Sequence, residues 1–294
     1  MFAISADIPY QHIAFEHGIV VSVKRIDLVH PHIAGNKFYK LKYNLQAARE
    51  QGKTLLISFG GAYSNHIHAL AHAAHEYGFQ ALGIIRGQEL AEQPLNPTLQ
   101  DAANLGMQLQ FISRADYRQK HTPAFLQAAL NQYPHAYVIP EGGSNALAIK
   151  GCEEILSAAD KKNFDVICCA VGTGGTIAGI INASSDAQHT IGHAALKTDY
   201  LSAEVAQHTE RRNWHITSED VFGGYGHFNA ELLDFIAATE ATHGLPLDPV
   251  YTGKAYYRLC QQIHAGDFAP HSRILFIHTG GLQGHRPANR AHSA

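Results

Sequence analysis

Short apolar runs of strand length alternate along the chain with longer segments whose apolar residues recur at the helical period. This alternation predicts an α/β fold in which a mostly parallel sheet is covered by helices on both faces. Strands are predicted at residues 19–23, 54–59, 81–86, 108–112, 137–139, 166–171 and 274–278. Helices are predicted at residues 38–51, 65–77, 97–105, 123–132, 146–158, 176–182, 230–243 and 253–264.

The composition is that of a folded protein with a sizeable apolar core. Of the 294 residues, 46% are hydrophobic and 16% are charged, and the net charge of -3 gives no positive field for nucleic acid or anionic membranes. An uncharged stretch at residues 166–185 has glycines and threonines at its centre, which indicates a strand, loop and helix rather than a membrane span. The first residues lack the pattern of a secretory signal. We therefore expect neither nucleic acid nor a membrane as a partner.

The four cysteines form no Cys-x-x-Cys pair, and two of them are adjacent within an apolar run. We expect all four to be buried and reduced, as in a cytosolic protein, with a redox or metal role as the alternative. They are Cys152, Cys168, Cys169 and Cys260.

Four predicted strands are followed by glycines together with hydroxyl or amide side chains. In open α/β sheets, ligands bind beyond the carboxyl ends of the strands, so this repetition predicts one shared binding edge. The four segments are Gly60-Gly61-Ala62-Tyr63-Ser64-Asn65-His66, Pro140-Glu141-Gly142-Gly143-Ser144-Asn145, Gly172-Thr173-Gly174-Gly175-Thr176 and His278-Thr279-Gly280-Gly281.

The glycine loop from Gly172 to Thr176 joins a buried strand to a helix. Glycines let the backbone approach an anion, and the helix start offers free N–H groups and the positive end of the helix dipole. The loop lacks the lysine of a triphosphate-binding loop, and Ile177 stands where a dinucleotide fingerprint needs a third glycine. A single phosphate therefore fits best, and a tight turn with close packing is the alternative.

Lys37 stands at the predicted start of the first long helix. A helix start disfavours additional positive charge, so the amine tends toward its neutral form, which is the form that attacks a carbonyl. Taken alone, a solvated surface lysine is the plainer interpretation. Together with a single-phosphate loop, this lysine points to pyridoxal 5'-phosphate, a cofactor with one phosphate and one aldehyde.

Five motifs in order resemble the family of D-cysteine desulfhydrases and 1-aminocyclopropane-1-carboxylate (ACC) deaminases. The likeness runs from about residue 23 to residue 284 and implies a fold type II pyridoxal-phosphate enzyme. That fold has two open, twisted, mostly parallel sheets, with the active site between a large domain (1–44 and 143–294) and a small inserted domain (45–142). The motifs are Gly35-Asn36-Lys37, Ser64-Asn65-His66, Gly172-Thr173-Gly174-Gly175-Thr176, Asp248-Pro249-Val250-Tyr251-Thr252-Gly253-Lys254 and His278-Thr279-Gly280-Gly281.

The resemblance implies a role for each matching residue. Lys37 corresponds to the Schiff-base lysine, which also removes the α-proton, and Asn65 to the amide that contacts the ring 3'-oxygen. The phosphate loop corresponds to Gly172, Thr173, Gly174, Gly175 and Thr176. The substrate-side and catalytic residues correspond to Ser64, Asn65, His66, Tyr225 and Tyr251.

One departure favours a desulfhydrase. The deaminases carry a glutamate after the second active-site tyrosine, where it keeps the pyridine nitrogen protonated, and this chain has Thr252 there. A hydroxyl supports the ring as an electron sink less strongly than a carboxylate does, and opening a cyclopropane needs that sink more than expelling a thiolate does. Thr279 is a second candidate partner of the ring nitrogen. We therefore expect β-elimination of D-cysteine to pyruvate, ammonia and hydrogen sulfide.

Several alternatives remain open at this stage. ACC deamination to 2-oxobutyrate is the nearest, and a non-catalytic binder of pyridoxal phosphate or a phosphometabolite and a nucleotide-binding oxidoreductase are the others. The run His68, His72 and His75 is interpreted as a polar helix face rather than a metal site, since no carboxylate stands between them as in a zinc hydrolase. No resident metal is expected. The family suggests a cytoplasmic homodimer acting on a small amino acid.

Overall fold

Two β-sheets form the framework of the computed structural model, which describes residues 7–198, 200–219 and 222–285. Within these residues, ten strands are present. The parts of the predicted large domain at residues 1–6 and 286–294 lie outside the described residues. The strands are β1 Tyr10–Ala14, β2 Val20–Lys24, β3 Leu55–Gly60, β4 Gln80–Arg86, β5 Gln108–Ile112, β6 Ala136–Val138, β7 Val166–Val171, β8 His189–Ala194, β9 Trp214–Thr217 and β10 Arg273–Ile277.

The larger sheet has the strand order β1-β2-β10-β7-β8-β9, and the smaller has the order β5-β4-β3-β6. β1 pairs antiparallel with β2, and every other pairing in the two sheets is parallel. The predicted class, an α/β fold with two mostly parallel sheets, is therefore confirmed. The domain boundaries at 44/45 and 142/143 stay a prediction.

Helices connect the strands and cover the sheets. They begin with good capping chemistry where the sequence offers it: Ser64 and Asn96 accept the N–H three residues on, and Pro97 opens its helix. The helices are α1 Asn36–Glu50, α2 Asn65–Tyr77, α3 Pro97–Asn104, α4 Arg114–Arg118, α5 Pro123–Gln132, α6 Ala146–Glu153, α7 Ala158–Asn163, α8 Gly175–Ala183, α9 Leu201–Ala206, α10 Ala230–His243 and α11 Thr252–His264.

The predicted elements are present with small shifts at their ends, and one helix is divided. The segment 146–158 contains α6 but not one continuous helix, because Ser157 starts α7 with a capping box closed by Asp160. Three strands were not predicted: β1, β8 and β9.

α6 lies between α1 and α8 and sets how closely those two helices approach. A Cβ on Gly151 of α6 would fall 2.0 Å from the carbonyl oxygen of Tyr39 on α1. A Cβ on Gly179 of α8 would fall 2.5 Å from the Cβ of Cys152 on α6. Side chains at these two glycines would therefore push apart the helices that carry the lysine and the glycine loop.

All four cysteines are buried and free of disulfide bonds, as predicted. Burial raises the pKa of Cys152 to about 11 and of Cys169 to about 12, so these thiols stay protonated. Among the residues that the structure describes, there is no helix with the length and apolar character needed to cross a bilayer.

A buried ion pair provides a test of the core. Lys24 Nζ lies 2.5 Å from the Asp160 carboxylate and 2.7 Å from the Ile155 carbonyl, and both charged side chains are almost fully buried. We expect Lys24→Met to lower the free energy of unfolding in urea by about 3 kcal/mol, because it leaves a buried carboxylate without its cation. Arg114→Gln, which removes an exposed pair with Glu89, is the control and should change little. Equal losses in both variants would contradict the assignment.

Candidate active site

Lys37 is held at the carboxyl end of β10 by the start of α1. The Asn36 N–H donates to the Thr279 carbonyl at 3.2 Å. Gly35, with φ of 64°, allows this approach, since a Cβ there would lie 2.0 Å from the same carbonyl oxygen. The backbone therefore places Lys37 beside the fourth of the predicted strand-end segments, 278–281.

One side chain connects the Lys37 amine to the glycine loop. Lys37 Nζ donates to Asn36 Oδ1 at 2.9 Å, and Asn36 Nδ2 donates to Thr176 Oγ1 at 2.8 Å. Burial and, to a smaller extent, the nearby Lys40 cation lower the pKa of Lys37 to about 7. At neutral pH a large fraction of this amine is therefore in its nucleophilic form.

The glycine loop turns directly into α8. Gly174 adopts a left-handed conformation with φ of 83°, and α8 begins at Gly175 with no side-chain cap on its first N–H groups. A Cβ on Gly175 would lie 3.0 Å from Ser144 Oγ and 3.4 Å from Lys40 Nζ. The loop therefore presents uncapped donors and a cation within a narrow space, as a phosphate requires.

Lys40 is a buried cation that the sequence analysis did not assign. Its Nζ donates to the Gly142 carbonyl and to Ser144 Oγ, both at 2.9 Å, and lies 3.4 Å from Thr173 Oγ1. Burial lowers the pKa of its amine. Because it follows Lys37 by three residues on α1, both side chains point to one side of the helix. That spacing was the available signal.

These residues fit pyridoxal phosphate by their chemistry. Within the described residues, no carboxylate forms an ion pair with Lys37 or Lys40. A buried cation lacking a counter-charge is costly, and a phosphate would supply that charge. The neutral fraction of Lys37 would meet the aldehyde, while the loop and Lys40 would hold the phosphate.

The loop after β3 brings Ser64 and Asn65 to the start of α2. Ser64 Oγ accepts from the Ile67 N–H at 3.3 Å and so caps the helix, which leaves its hydroxyl hydrogen for another partner. Asn65 Oδ1 accepts from Gln283 Nε2 at 2.7 Å. Gln283 follows β10, so this contact joins the two sheets.

His66 is buried and neutral, with one ring nitrogen unused. Ser58 Oγ donates to the Ile139 carbonyl at 2.8 Å, so it must accept at 2.8 Å from His66, whose proton therefore sits on Nε2. Burial and the two lysines hold the pKa of His66 well below its usual range. The other nitrogen, Nδ1, is a buried acceptor without a partner in the described residues.

The two predicted tyrosines contact each other. Tyr251 donates to Tyr225 between the hydroxyls at 3.0 Å, with their ring centroids 5.9 Å apart. A Cβ on Gly172 would lie 3.0 Å from the Tyr251 ring, so this ring borders the glycine loop. Burial raises the pKa of Tyr251, which keeps its phenol protonated.

The hydroxyl of Thr252 is committed within its own turn. It donates to Asp248 Oδ1 at 2.7 Å and accepts from the Asp248 N–H at 2.9 Å. Asp248 takes four donors in all, because its carboxylate also accepts the N–H groups of Val250, Tyr251 and Thr252. By contrast, the Thr279 hydroxyl has no side-chain hydrogen bond among the described residues and is nearly buried.

The histidines of α2 do not form a uniform polar face. His68 is buried and lies 3.4 Å from Asp101, His72 stacks on His32 at 4.7 Å, and His75 is exposed. The three histidines thus differ in exposure, and the interpretation as a polar face stays a prediction. In residues 7–198, 200–219 and 222–285, no group of three or more His, Cys, Asp or Glu side chains is arranged to hold a metal ion.

Comparisons with known proteins agree on one family. Residues 8–280 match a family model described as pyridoxal-phosphate dependent enzyme. A Thermotoga maritima protein, provisionally named an ACC deaminase, is 30% identical across 92% of this chain and 91% of its own length. The mitochondrial bifunctional D-cysteine desulfhydrase/ACC deaminase of Arabidopsis thaliana is 31% identical across 91% of this chain and 74% of its own length.

Solved structures share the fold. One described as an ACC deaminase homologue has a TM-score of 0.83 at 27% identity and covers 96% of this chain and 91% of its own. An O-acetylserine dependent cystathionine β-synthase from Helicobacter pylori has a TM-score of 0.69 at 14% identity, covering 94% and 93%. The second likeness concerns the fold alone. The predicted family, fold and cofactor are confirmed.

The lowered pKa of Lys37 predicts how cofactor-free protein reacts with pyridoxal, which lacks the phosphate. Because only the neutral amine reacts, the rate of imine formation should rise with pH and reach half its maximum near pH 7, rather than near the ordinary lysine value of 10.5. The growth of the yellow absorption band measures this rate. Lys40→Met should move the midpoint upward, since it removes a neighbouring cation, and Lys37→Met should abolish the reaction. A wild-type midpoint typical of an ordinary lysine would contradict the assignment.

Proposed function

Because the chain belongs to the family of pyridoxal-phosphate dependent enzymes, we propose that it catalyses β-elimination of D-cysteine. In the balanced reaction, D-cysteine and water give pyruvate, ammonia and hydrogen sulfide. The observation that carries the proposal is the continuous contact from the Lys37 amine through Asn36 to Thr176 of the glycine loop. This contact puts a reactive amine and a phosphate site at one sheet edge.

Each group in the site has a task that follows from its chemistry. When bound, pyridoxal phosphate supplies a conjugated ring that takes up negative charge from the substrate α-carbon. Lys37, neutral in a large fraction near pH 7, removes the α-proton. Lys40, Thr173 and the first N–H groups of α8 hold the phosphate and fix the ring.

The substrate side is formed by the loop after β3 and by the tyrosine pair. The start of α2, where Ser64 caps the Ile67 N–H and keeps its own hydroxyl hydrogen, suits the α-carboxylate. The buried Nδ1 of His66 is left to accept a hydrogen bond from a bound group. Tyr251, whose buried phenol stays protonated, donates to the Tyr225 hydroxyl, which leaves the Tyr225 hydroxyl hydrogen to donate near the leaving sulfur or the carboxylate.

The charge around the proposed ring-nitrogen site supports elimination over cyclopropane opening. Asp248 is the carboxylate at this edge, and its four donors leave it no capacity for the ring nitrogen. Thr252 is bound to Asp248, so we assign the ring nitrogen to the unpartnered hydroxyl of Thr279. ACC deamination is the second candidate, because relatives and a structural neighbour carry that name.

Three coarser features of the protein are proposed on the family resemblance. They are a homodimer, a cytoplasmic location, and a small domain of residues 45–142 inserted in a large one. The domain proposal is supported by the strand order, since β3 to β6 form their own sheet. Light scattering on the purified protein measures the assembly, and limited proteolysis measures the boundaries.

Substrate assays decide the reaction. We expect purified protein with pyridoxal phosphate to release sulfide from D-cysteine faster than from L-cysteine, and faster than it forms 2-oxobutyrate from ACC. Lys37→Ala should remove the yellow band and lower the rate by about 10³-fold or more, as expected for loss of the proton-transfer group. Lys42→Ala, at a lysine of the same helix that pairs with Glu154, is the control. Faster 2-oxobutyrate formation would establish the second candidate instead.

The two threonines provide a separate test. Thr279→Val should lower kcat/KM for D-cysteine by up to about 10-fold, because an ordinary hydrogen bond contributes about 0.5–1.5 kcal/mol. Thr252→Val should chiefly lower the melting temperature, since it breaks the bond to Asp248 inside a buried turn. The reverse pattern would assign the ring nitrogen to Thr252.

A further inference from the structure

We propose that Gln283 is a positioning residue, which orients the Asn65 amide so that its N–H side faces the ring oxygen of the bound cofactor. The inference rests on the proposed function, because the contact between Asn65 and the ring belongs to it. Gln283 lies in the single turn Leu282–His285 after β10, beyond the residues that match the family model. No sequence motif pointed to it.

Gln283 contacts Tyr63, Asn65 and Thr98 in the segment that carries the smaller sheet. Its Nε2 donates to Asn65 Oδ1 at 2.7 Å and lies 3.4 Å from the Tyr63 carbonyl oxygen. Its Oε1 accepts from Thr98 Oγ1 at 2.8 Å. Hydrogen bonds therefore hold both the nitrogen and the oxygen of the Gln283 side-chain amide.

The chemistry of these partners fixes the orientation of both amides. A backbone carbonyl can only accept, so the Tyr63 oxygen requires the NH₂ end of Gln283 on its side. The same nitrogen then donates to Asn65, which must offer its oxygen. The NH₂ end of Asn65 is thereby turned away from Gln283.

That NH₂ end faces the strand-end glycines of the active site. A Cβ on Gly281 would lie 3.3 Å from Asn65 Nδ2 and 3.0 Å from Asp248 Oδ1. A larger residue at position 281 would therefore crowd the Asn65 amide. Among the described residues, nothing accepts a hydrogen bond from Nδ2. The nitrogen is a free donor beside Gly281, in the strand-end segment that also contains Thr279, where the cofactor ring is proposed to lie.

The orientation matters because the ring oxygen carries negative charge. An N–H directed at it stabilises the anion, whereas a carbonyl oxygen directed at it repels the anion. With the cofactor bound, the Lys37 nitrogen would release its proton at lower pH when an Asn65 N–H stabilises the negative charge on the ring oxygen. Gln283 therefore lowers the pH at which the yellow band of the holoenzyme changes.

Glutamate and methionine at position 283 separate orientation from packing. In Gln283→Glu the carboxylate can only accept, so Asn65 must turn its NH₂ toward residue 283 and its oxygen toward the ring. We expect the pH midpoint of the yellow band to rise by about one unit, the size of a hydrogen bond to a charged group. Gln283→Met, which has no charge, should raise it by less. Thr98→Val is the control and should leave it near the wild-type value, because the Tyr63 carbonyl still orients Gln283.

The pH midpoint of the yellow absorption band tests the role of Gln283 without any assay of turnover. Wild-type midpoints in both Gln283 variants, with cofactor bound and an unchanged circular dichroism spectrum, would overturn it. If Gln283→Glu does not fold, the midpoint of Gln283→Met decides alone. A wild-type protein that shows the band but releases no sulfide from cysteine would refute the proposed substrate and leave this test valid. A wild-type protein that forms no band would refute the proposed function itself.

Discussion

Two amines on one helix, buried together with no carboxylate of the described residues in an ion pair with either, set the requirement that the rest of the site meets. Lys37 and Lys40 extend from the first turns of α1 toward the glycine loop, and both have a pKa lowered by burial. Polar oxygens of Gly142 and Ser144 solvate Lys40 but do not neutralise it. A phosphate monoester brings nearly two negative charges and accepts several hydrogen bonds. Such an anion would stabilise the cation at Lys40, and Lys37 would be left free to lose its proton and react.

The separation of amine and loop depends on how tightly three helices pack. Gly151 and Gly179 let α6 lie against both α1 and α8, and α8 carries the loop at its start. Since protein interiors are close-packed, even one added methyl group at either glycine must displace a helix. The hydrogen bond between Asn36 and Thr176 spans the same gap, so it reports whether the spacing is kept. Residues far from any ligand thus control the reactive geometry.

Sequence reasoning reached most of the fold because long periodic segments carry strong signals. It missed β8 and β9, whose sequences mix histidine, threonine and tryptophan with few aliphatic residues, and β1, an antiparallel edge strand. These strands are recognised by their pairing partners rather than by their own composition. The division between α6 and α7 was missed although Ser157 and Asp160 form a capping box.

The site shows the same limit more sharply. Lys37 and the glycine loop were found because each carries a recognisable motif. Lys40 could be assigned only once it was known that its face of α1 turns toward that loop. Gln283 contacts Asn65 although the two residues are 218 positions apart in the sequence. Contacts of that separation are products of topology, so no local pattern predicts them.

Thr252 shows that a residue can match a family motif in sequence without making the contact that the motif implies. Its place after Tyr251 suggested a partner for the ring nitrogen, but its hydroxyl is used to close the turn around Asp248. That turn in turn consumes the carboxylate, because Asp248 caps the N–H groups at the start of α11. The edge that would face the nitrogen is therefore left with neutral hydroxyl chemistry. A neutral partner makes a moderate electron sink, and a moderate sink suffices for a leaving group as stable as a thiolate. The capping of one helix thus bears directly on which bond the site can break.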